Sequence, residues 1–260
     1  MRLLHLTDLH YRTAYPASQE EYLHVLAGAP PMSRRLELCR RRLGHTPVDG
    51  ILLTGDLTDY GEAEDFRALR ALVDRVFPGI PMAVTPGNHD GKPAFQTGWN
   101  GAPASPRPWN RLFWIGPLAV LSLDSSREGS NGGLIDEDQC RWLEEQLAWL
   151  GDAPTILITH FHLLPGQHSM PPAAYHPRFF QAAARSRLLG IFCGHAHEPF
   201  TGFFAGKPYY TAPSLSFHGV RSAQDALSFG FTCGYGLYTI HPTGAIDSRF
   251  EVFQDPSVFL

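Results

Sequence analysis

Lysine is almost missing from this chain: 260 residues hold two, against nineteen arginines, and the formal net charge is −4. A mildly acidic chain lacks the broad positive field that tight duplex binding needs, which argues against a nucleic-acid partner unless a local basic patch exists. Cysteine is also scarce. Cys39, Cys140, Cys193 and Cys233 lie far apart with no CxxC pair. That disfavours a disulfide framework or thiolate zinc site and suits buried thiols in a reducing cytosol, so a cytoplasmic protein is expected. No apolar run approaches ~18 residues, so no transmembrane segment is expected. The strand-like sequence from Arg2 has no basic, apolar leader before it, and no signal peptide is expected. Repeats, low-complexity tracts and linkers are missing too, and residues 1–260 read as a single domain.

What is present is a repeated grammar of buried strand, small residue, then a metal-ligand type. It is clearest in DGILLTGDLTD, Asp49 to Asp59, where Ile51, Leu52 and Leu53 suit a strand buried on both faces. Four other stretches repeat it: LLHLTDLH (Leu3 to His10), PMAVTPGNHD (Pro81 to Asp90), TILITHFH (Thr155 to His162) and LGIFCGHAH (Leu189 to His197). In an open α/β sheet the carboxyl ends of parallel strands gather in one crevice, where ligands bind.

Between these strands the pattern predicts a long loop over 11–33 and a helix over 34–43 with its arginines solvated. Helical spacing of Phe66, Leu69, Leu72, Val73 and Val76 predicts a helix over 61–77. Residues 91–111, rich in proline and tryptophan, read as a wall over the site. A hairpin is expected at 112–115 and 118–123, and a helix with an Asp136/Gln139 capping box ending at Gly151. Residues 163–177 read as a second proline-rich loop and Phe179 to Leu188 as a helix. The tail, at 200–205, 208–212, 235–241 and 245–253, reads as short antiparallel strands.

The candidate ligands are Asp8, His10, Asp56, Asn88, His160, His195 and His197. Mixed nitrogen and oxygen donors suit Zn, Fe or Mn better than Ca or Mg. Seven ligands exceed the need of one ion. Two ions sharing a bridging carboxylate, with Asp56 the candidate, are a known device for phosphoryl displacement. His5, between Leu4 and Leu6, reads as a core histidine. His162 is either a partner behind the ligands or, if the strand ends later, the ligand in place of His160. His218 is a candidate substrate contact. Arg127, with Arg107 and Arg111, either binds a second anionic group or is solvated surface. Trp99 and Trp109 either stack on a base or pack a loop core.

DLH, GDLTD, GNHD, a strand-end TH and GHAH, in this order, resemble the calcineurin-like metallophosphoesterase superfamily, and within it the class III cyclic-nucleotide phosphodiesterases and glycerophosphodiesterases. The resemblance implies a four-layer α/β/β/α sandwich with a mixed sheet, the C-terminal strands joining the second sheet. It implies one ion on Asp8, His10, His197 and Asp56, and another on Asn88, His160, His195 and Asp56. It implies that His89 contacts the phosphoryl group and donates a proton, oriented by Asp59 or alternatively Asp90. The expected function is a binuclear-metal phosphohydrolase, preferentially a phosphodiesterase of a cyclic nucleotide or other small phosphodiester, attacked in line by a metal-bridging hydroxide. A phosphomonoesterase or pyrophosphohydrolase is the first alternative, and a non-catalytic interaction module the second. Oligomeric state is left open. Substrate identity is expected to reside in loops 11–33, 91–111, 163–177 and 213–233.

Overall fold

Side chains alternate along each buried strand, and that alternation sorts the apolar residues into layers. The computed structural model of the chain describes residues 1–168, 170–221 and 227–254, the side chains of Val220, Arg221 and Leu227 apart. The first half runs β1 (Arg2–Leu6), α1 (Glu21–Gly28), α2 (Met32–Leu43), β2 (Gly50–Thr54), α3 (Ala63–Val76), β3 (Met82–Thr85), α4 (Lys92–Gly98), β4 (Arg111–Ile115) and β5 (Leu118–Ser122). The second half adds β6 (Leu134–Ile135), α5 (Glu137–Leu150), β7 (Thr155–Ile158), β8 (Ala174–Tyr175), α6 (Pro177–Arg185) and β9 (Gly190–Cys193). It closes with β10 (Phe200–Phe204), β11 (Lys207–Thr211), β12 (Phe217–Arg221), β13 (Leu227–Phe231), β14 (Cys233–Ile240) and β15 (Ile246–Phe253).

Two mixed sheets result, in the orders β15-β14-β1-β2-β3 and β10-β11-β9-β7-β5-β4. Strands β1, β2 and β3 are mutually parallel, as are β5, β7 and β9. Leu3, Leu52 and Ala83 face inward and meet Val120, Ile156, Ile158 and Phe192 of the other sheet. Leu4, Leu6, Ile51 and Leu53 face outward and are covered by Leu36 of α2 and by Phe66, Leu69 and Val73 of α3. On the far side, Leu121, Leu157 and Ile191 are covered by Cys140 and Leu143 of α5 and Phe179 of α6. This is the expected four-layer α/β/β/α sandwich. Each buried Leu, Ile, Val or Phe among them contributes about 1.5–3 kcal/mol.

The Asp136/Gln139 capping box starts α5 as expected. All four cysteines are buried and free, and His5 is a core histidine within 2.7 Å of Thr54 Oγ1. Several expectations need correction. The loop expected over 11–33 contains α1 and the start of α2. Arg35 is buried, donating to Pro30 O and Leu215 O, so the arginines of α2 are not all solvated. Residues 91–111 contain α4, and Trp99 and Trp109 pack into the core beside α3. Strands β14 and β15 return to the first sheet, against β1, and only β10 and β11 join the second. Within 213–233 the chain forms the hairpin β12–β13; residues 222–226 of that expected loop, and Ser169 of the one over 163–177, lie outside the described residues.

Candidate metal centre

Parallel strands that share register end together. Leu53 of β2 pairs with Leu6 of β1 and with Val84 of β3, so the segments leaving all three emerge at one rim. Beyond it the first two segments stay paired: Asp8 N donates to Gly55 O and His10 N to Asp56 O. The second sheet delivers His160 after β7, and His195 and His197 after β9, to the same rim. Gly194 N donates to His160 O, and His195 N donates to the Asp8 carboxylate, which ties the two sheets together there.

The motif glycines have a steric reason. A Cβ on Gly87 would lie 2.1 Å from Asp56 Oδ1, and one on Gly194 would lie 2.1 Å from Thr7 Oγ1. Backbone strain marks the same place. Among the described residues seven non-glycines take positive φ, and five of them are Asp8, His10, Asp56, His195 and His197. Such conformations cost about 1–3 kcal/mol each and persist where surrounding structure over-determines them.

The donor atoms fall into two groups around one carboxylate. Asp8 Oδ1 lies 3.3 Å from His197 Nε2, which lies 3.4 Å from His10 Nε2. His160 Nε2 lies 3.1 Å from Asn88 Oδ1 and 3.3 Å from His195 Nδ1. Asp56 Oδ2 stands 3.6 Å from His10 Nε2 and 3.4 Å from His160 Nε2. The opposite ring nitrogens are committed elsewhere: His160 Nδ1 donates to Thr54 O, His197 Nδ1 to Phe217 O, and His10 Nδ1 faces Asp59 Oδ1. A neutral imidazole protonated on that side turns its lone pair inward. Here the inward lone pairs face carboxylate oxygens and one another, an arrangement that calls for positive charge between them. The residues therefore fit a bound cation on each side of Asp56.

Electrostatics agree. Burial alone would raise Asp56, yet His160 and His89 hold its carboxyl well below the usual range. Against the opposing effect of burial, Asp56 lifts His160 to about 9. Burial, reinforced by His160, pushes His195 well below its ordinary value.

His89 stands beside these groups. Its backbone N–H donates to Asp56 Oδ1 and its Nδ1 lies 2.8 Å from Asp59 Oδ1. Asp90 is turned away and accepts from the backbone N–H groups of Leu57, Thr58 and Gly87, stitching two ligand segments together. His10, Asp59 and His89 form a third close set. It uses the outward Nδ1 of His10, so we read it as a hydrogen-bond relay.

A cavity of about 220 Å³ opens over the centre, lined by His10, Asp56, Asn88, His89, His195 and His197, with Tyr22, Asn131, His168, Met170, Phe217 and Phe229 among its other walls. A larger cavity of about 480 Å³ between α5 and α6 contains none of these groups. Two expectations fail here, and two positions left open find their place. No residue of 91–111 lines the cavity, because Lys92 is buried against Asp124 and holds that segment to the end of β5. His218 lies over Gly230 across the hairpin, while its neighbours Phe217 and Gly219 face the cavity, since adjacent residues of a strand point oppositely. Arg127 is exposed in a turn bridged to Ser130. His162 is buried and stacks on His195, outside the donor groups and the cavity lining. Sequence reading missed Tyr22, Phe229 and Asn131, which carry no motif.

A family model described as calcineurin-like phosphoesterase matches residues 1–199. The chain belongs to this family. Calcineurin-like phosphoesterases are metal-dependent, and the clustered histidine and aspartate donors fit that requirement. A probable cyclic nucleotide phosphodiesterase of Rhodococcus erythropolis is 31% identical over 174 residues, 65% of this chain and 58% of the relative. The glycerophosphodiester phosphodiesterase GpdQ of Enterobacter lignolyticus is 31% identical over 76% of this chain and 71% of its own. The 3',5'-cyclic adenosine monophosphate phosphodiesterase CpdA of Escherichia coli is 28% identical over 98% of this chain and 90% of its own. Among solved structures, the calcineurin-like phosphoesterase YfkN of Bacillus subtilis superposes with a TM-score of 0.52, covering 98% of this chain and 90% of that one, at 13% identity. That likeness is one of fold.

Proposed function

We propose that this calcineurin-like phosphoesterase hydrolyses small phosphodiesters at a centre of two transition-metal ions, Mn, Fe or Zn. The observation that carries the reading is Asp56, whose Oδ2 reaches toward both donor groups, 3.6 Å from His10 Nε2 and 3.4 Å from His160 Nε2. Asp8, His10 and His197 complete one site, and Asn88, His160 and His195 the other. Cations held there would lower the pKa of a bound water and offset charge on the phosphoryl oxygens.

The remaining steps belong to the chain. Asp59 fixes His89 through Nδ1, which leaves Nε2 as the atom that carries a proton to the departing alkoxide. Burial opposes the imidazolium, but Asp56 and Asp59 raise His89 above its ordinary value. Asp90 holds the loops that present Asp56 and Asn88. Among the described residues no arginine or lysine lines the cavity. That favours a substrate with one phosphoryl charge over a diphosphate, and three relatives bear phosphodiesterase names.

The same reading takes residues 1–260 as one domain acting in the cytoplasm. Among the described residues no helix is long and apolar enough to cross a membrane. Turnover of bis(p-nitrophenyl) phosphate against p-nitrophenyl phosphate, with Mn, Fe or Zn supplied, tests the proposal. Diester preference supports it, monoester preference points to a phosphatase, and no turnover with any metal rejects an enzyme of this type.

A further inference from the structure

Helix α1 and the hairpin β12–β13 pack together beside the sandwich. Leu23, Leu26 and Phe217 form their own small core, with Tyr22, Val25 and Phe229 packed against it, separate from the three clusters of the sheets. Three rings of this unit border the cavity. Tyr22 lies 5.5 Å from Phe217 and 5.9 Å from Phe229, and the two phenylalanines are 5.7 Å apart. Phe217 also packs 4.5 Å from the ring of His197, and Tyr22 stands 6.4 Å from that of His89. The aromatic surface thus begins at the donor groups and runs outward from them.

The opposite polarity is missing from the same walls. Beyond the donors and His89, the other described side chains are Asn131, His168, Met170 and Ala196, and no arginine or lysine is among the described lining residues. A flat apolar ring would find faces at van der Waals reach, where stacking is worth most.

We propose that Tyr22, Phe217 and Phe229 form an apolar subsite that selects phosphoesters whose organic portion carries a flat ring, a nucleobase or an aryl group, over those with small aliphatic or charged alcohols. The proposal rests on the phosphodiesterase reading for its biological meaning, but its test is a binding measurement. Phe217 is unsuited as a probe because its carbonyl also holds His197 Nδ1. Tyr22 and Phe229 are the informative positions.

Calorimetry on the full chain loaded with Mn would compare phenylphosphonate with methylphosphonate, which present the same anion and are not hydrolysed. The wild type should bind the phenyl compound about tenfold tighter. Tyr22→Ala and Phe229→Ala should each pull that ratio toward one, and Tyr22→Phe should keep it, because the ring and not the hydroxyl is the contact. Equal affinities in the wild type, or a ratio that survives both alanine variants, would overturn the subsite. Adenosine monophosphate in place of phenylphosphonate separates the two sources of ring: a stronger loss for it in Tyr22→Ala assigns a nucleobase, and a stronger loss for phenylphosphonate an aryl group. Failure to turn over bis(p-nitrophenyl) phosphate alongside an intact phenyl preference would reject the diesterase reading and leave the subsite standing.

Discussion

Two regions meet at the cavity and are built by opposite means. The donor groups sit on segments leaving β1, β2, β3, β7 and β9, with strained backbone at Asp8, His10, Asp56, His195 and His197 and cross-sheet hydrogen bonds at His160 and His195. The aromatic wall stands on an eight-residue helix and a two-stranded hairpin that share a small core of their own. Rigid placement suits chemistry in which about 1 Å of misplacement costs 10²-fold. A peripheral wall can change its side chains without disturbing the sandwich, which suits selection among substrates. The difference is one of support: the donors stand on the sandwich, and the aromatic side chains on a helix and hairpin with a small core of their own.

The sharpest way to break the comparison is at the shared carboxylate. Asp56→Asn should empty both ion sites and lower turnover by about 10³-fold or more, whereas Phe229→Ala should leave the metal content at two per chain. Metal analysis by mass spectrometry reads both; an Asp56→Asn chain that keeps two ions breaks the account. Next in size, His89→Ala should keep both ions while kcat falls by about 10²–10⁴. Asp59→Asn, which acts through His89, should lose about 10–100-fold, the scale of a group that orients another. If the Asp59 variant were the more damaged of the two, the assigned roles would be reversed. A third variant, Asn88→Ala, should deplete mainly the ion beside His160, and equal occupancy in anomalous maps would count against its assignment.

The smallest effect concerns a buried imidazole that belongs to neither region. Burial pushes His5 down to about 3, so it is neutral in the folded chain and titrates near 6.5 when unfolded. Its contribution is present above 6.5 and is lost as pH falls from there toward 3, at up to ~1.4 kcal/mol per pH unit. In chelator-treated protein, denaturant titrations at pH 7 and pH 5 should show a shallower loss for His5→Gln than for the wild type. An unchanged slope would mean that other groups carry the acid sensitivity.

The donor region was legible because each candidate donor comes just after a buried apolar strand, with a turn glycine between them at Gly55, Gly87 and Gly194. Gly87 and Gly194 could be seen as turn residues, but not the close approach to Asp56 and Thr7 that demands them. The wall was not legible. Helix α1 has a short apolar face, Leu23 and Leu26, that packs on the hairpin, so its period is too brief to stand out. His218 and Phe217 differ by one residue, and which faces the cavity is a matter of strand parity that no composition reveals. Residues 91–111 misled in the other direction, because the Lys92–Asp124 pair that turns them away joins positions far apart in the chain.

Anomalous diffraction from crystals of the full chain grown with Mn tests the central claim most directly. The account predicts two peaks about 3.5–4 Å apart, one on each side of the Asp56 carboxylate. A single peak, or a pair that does not share Asp56, would contradict it.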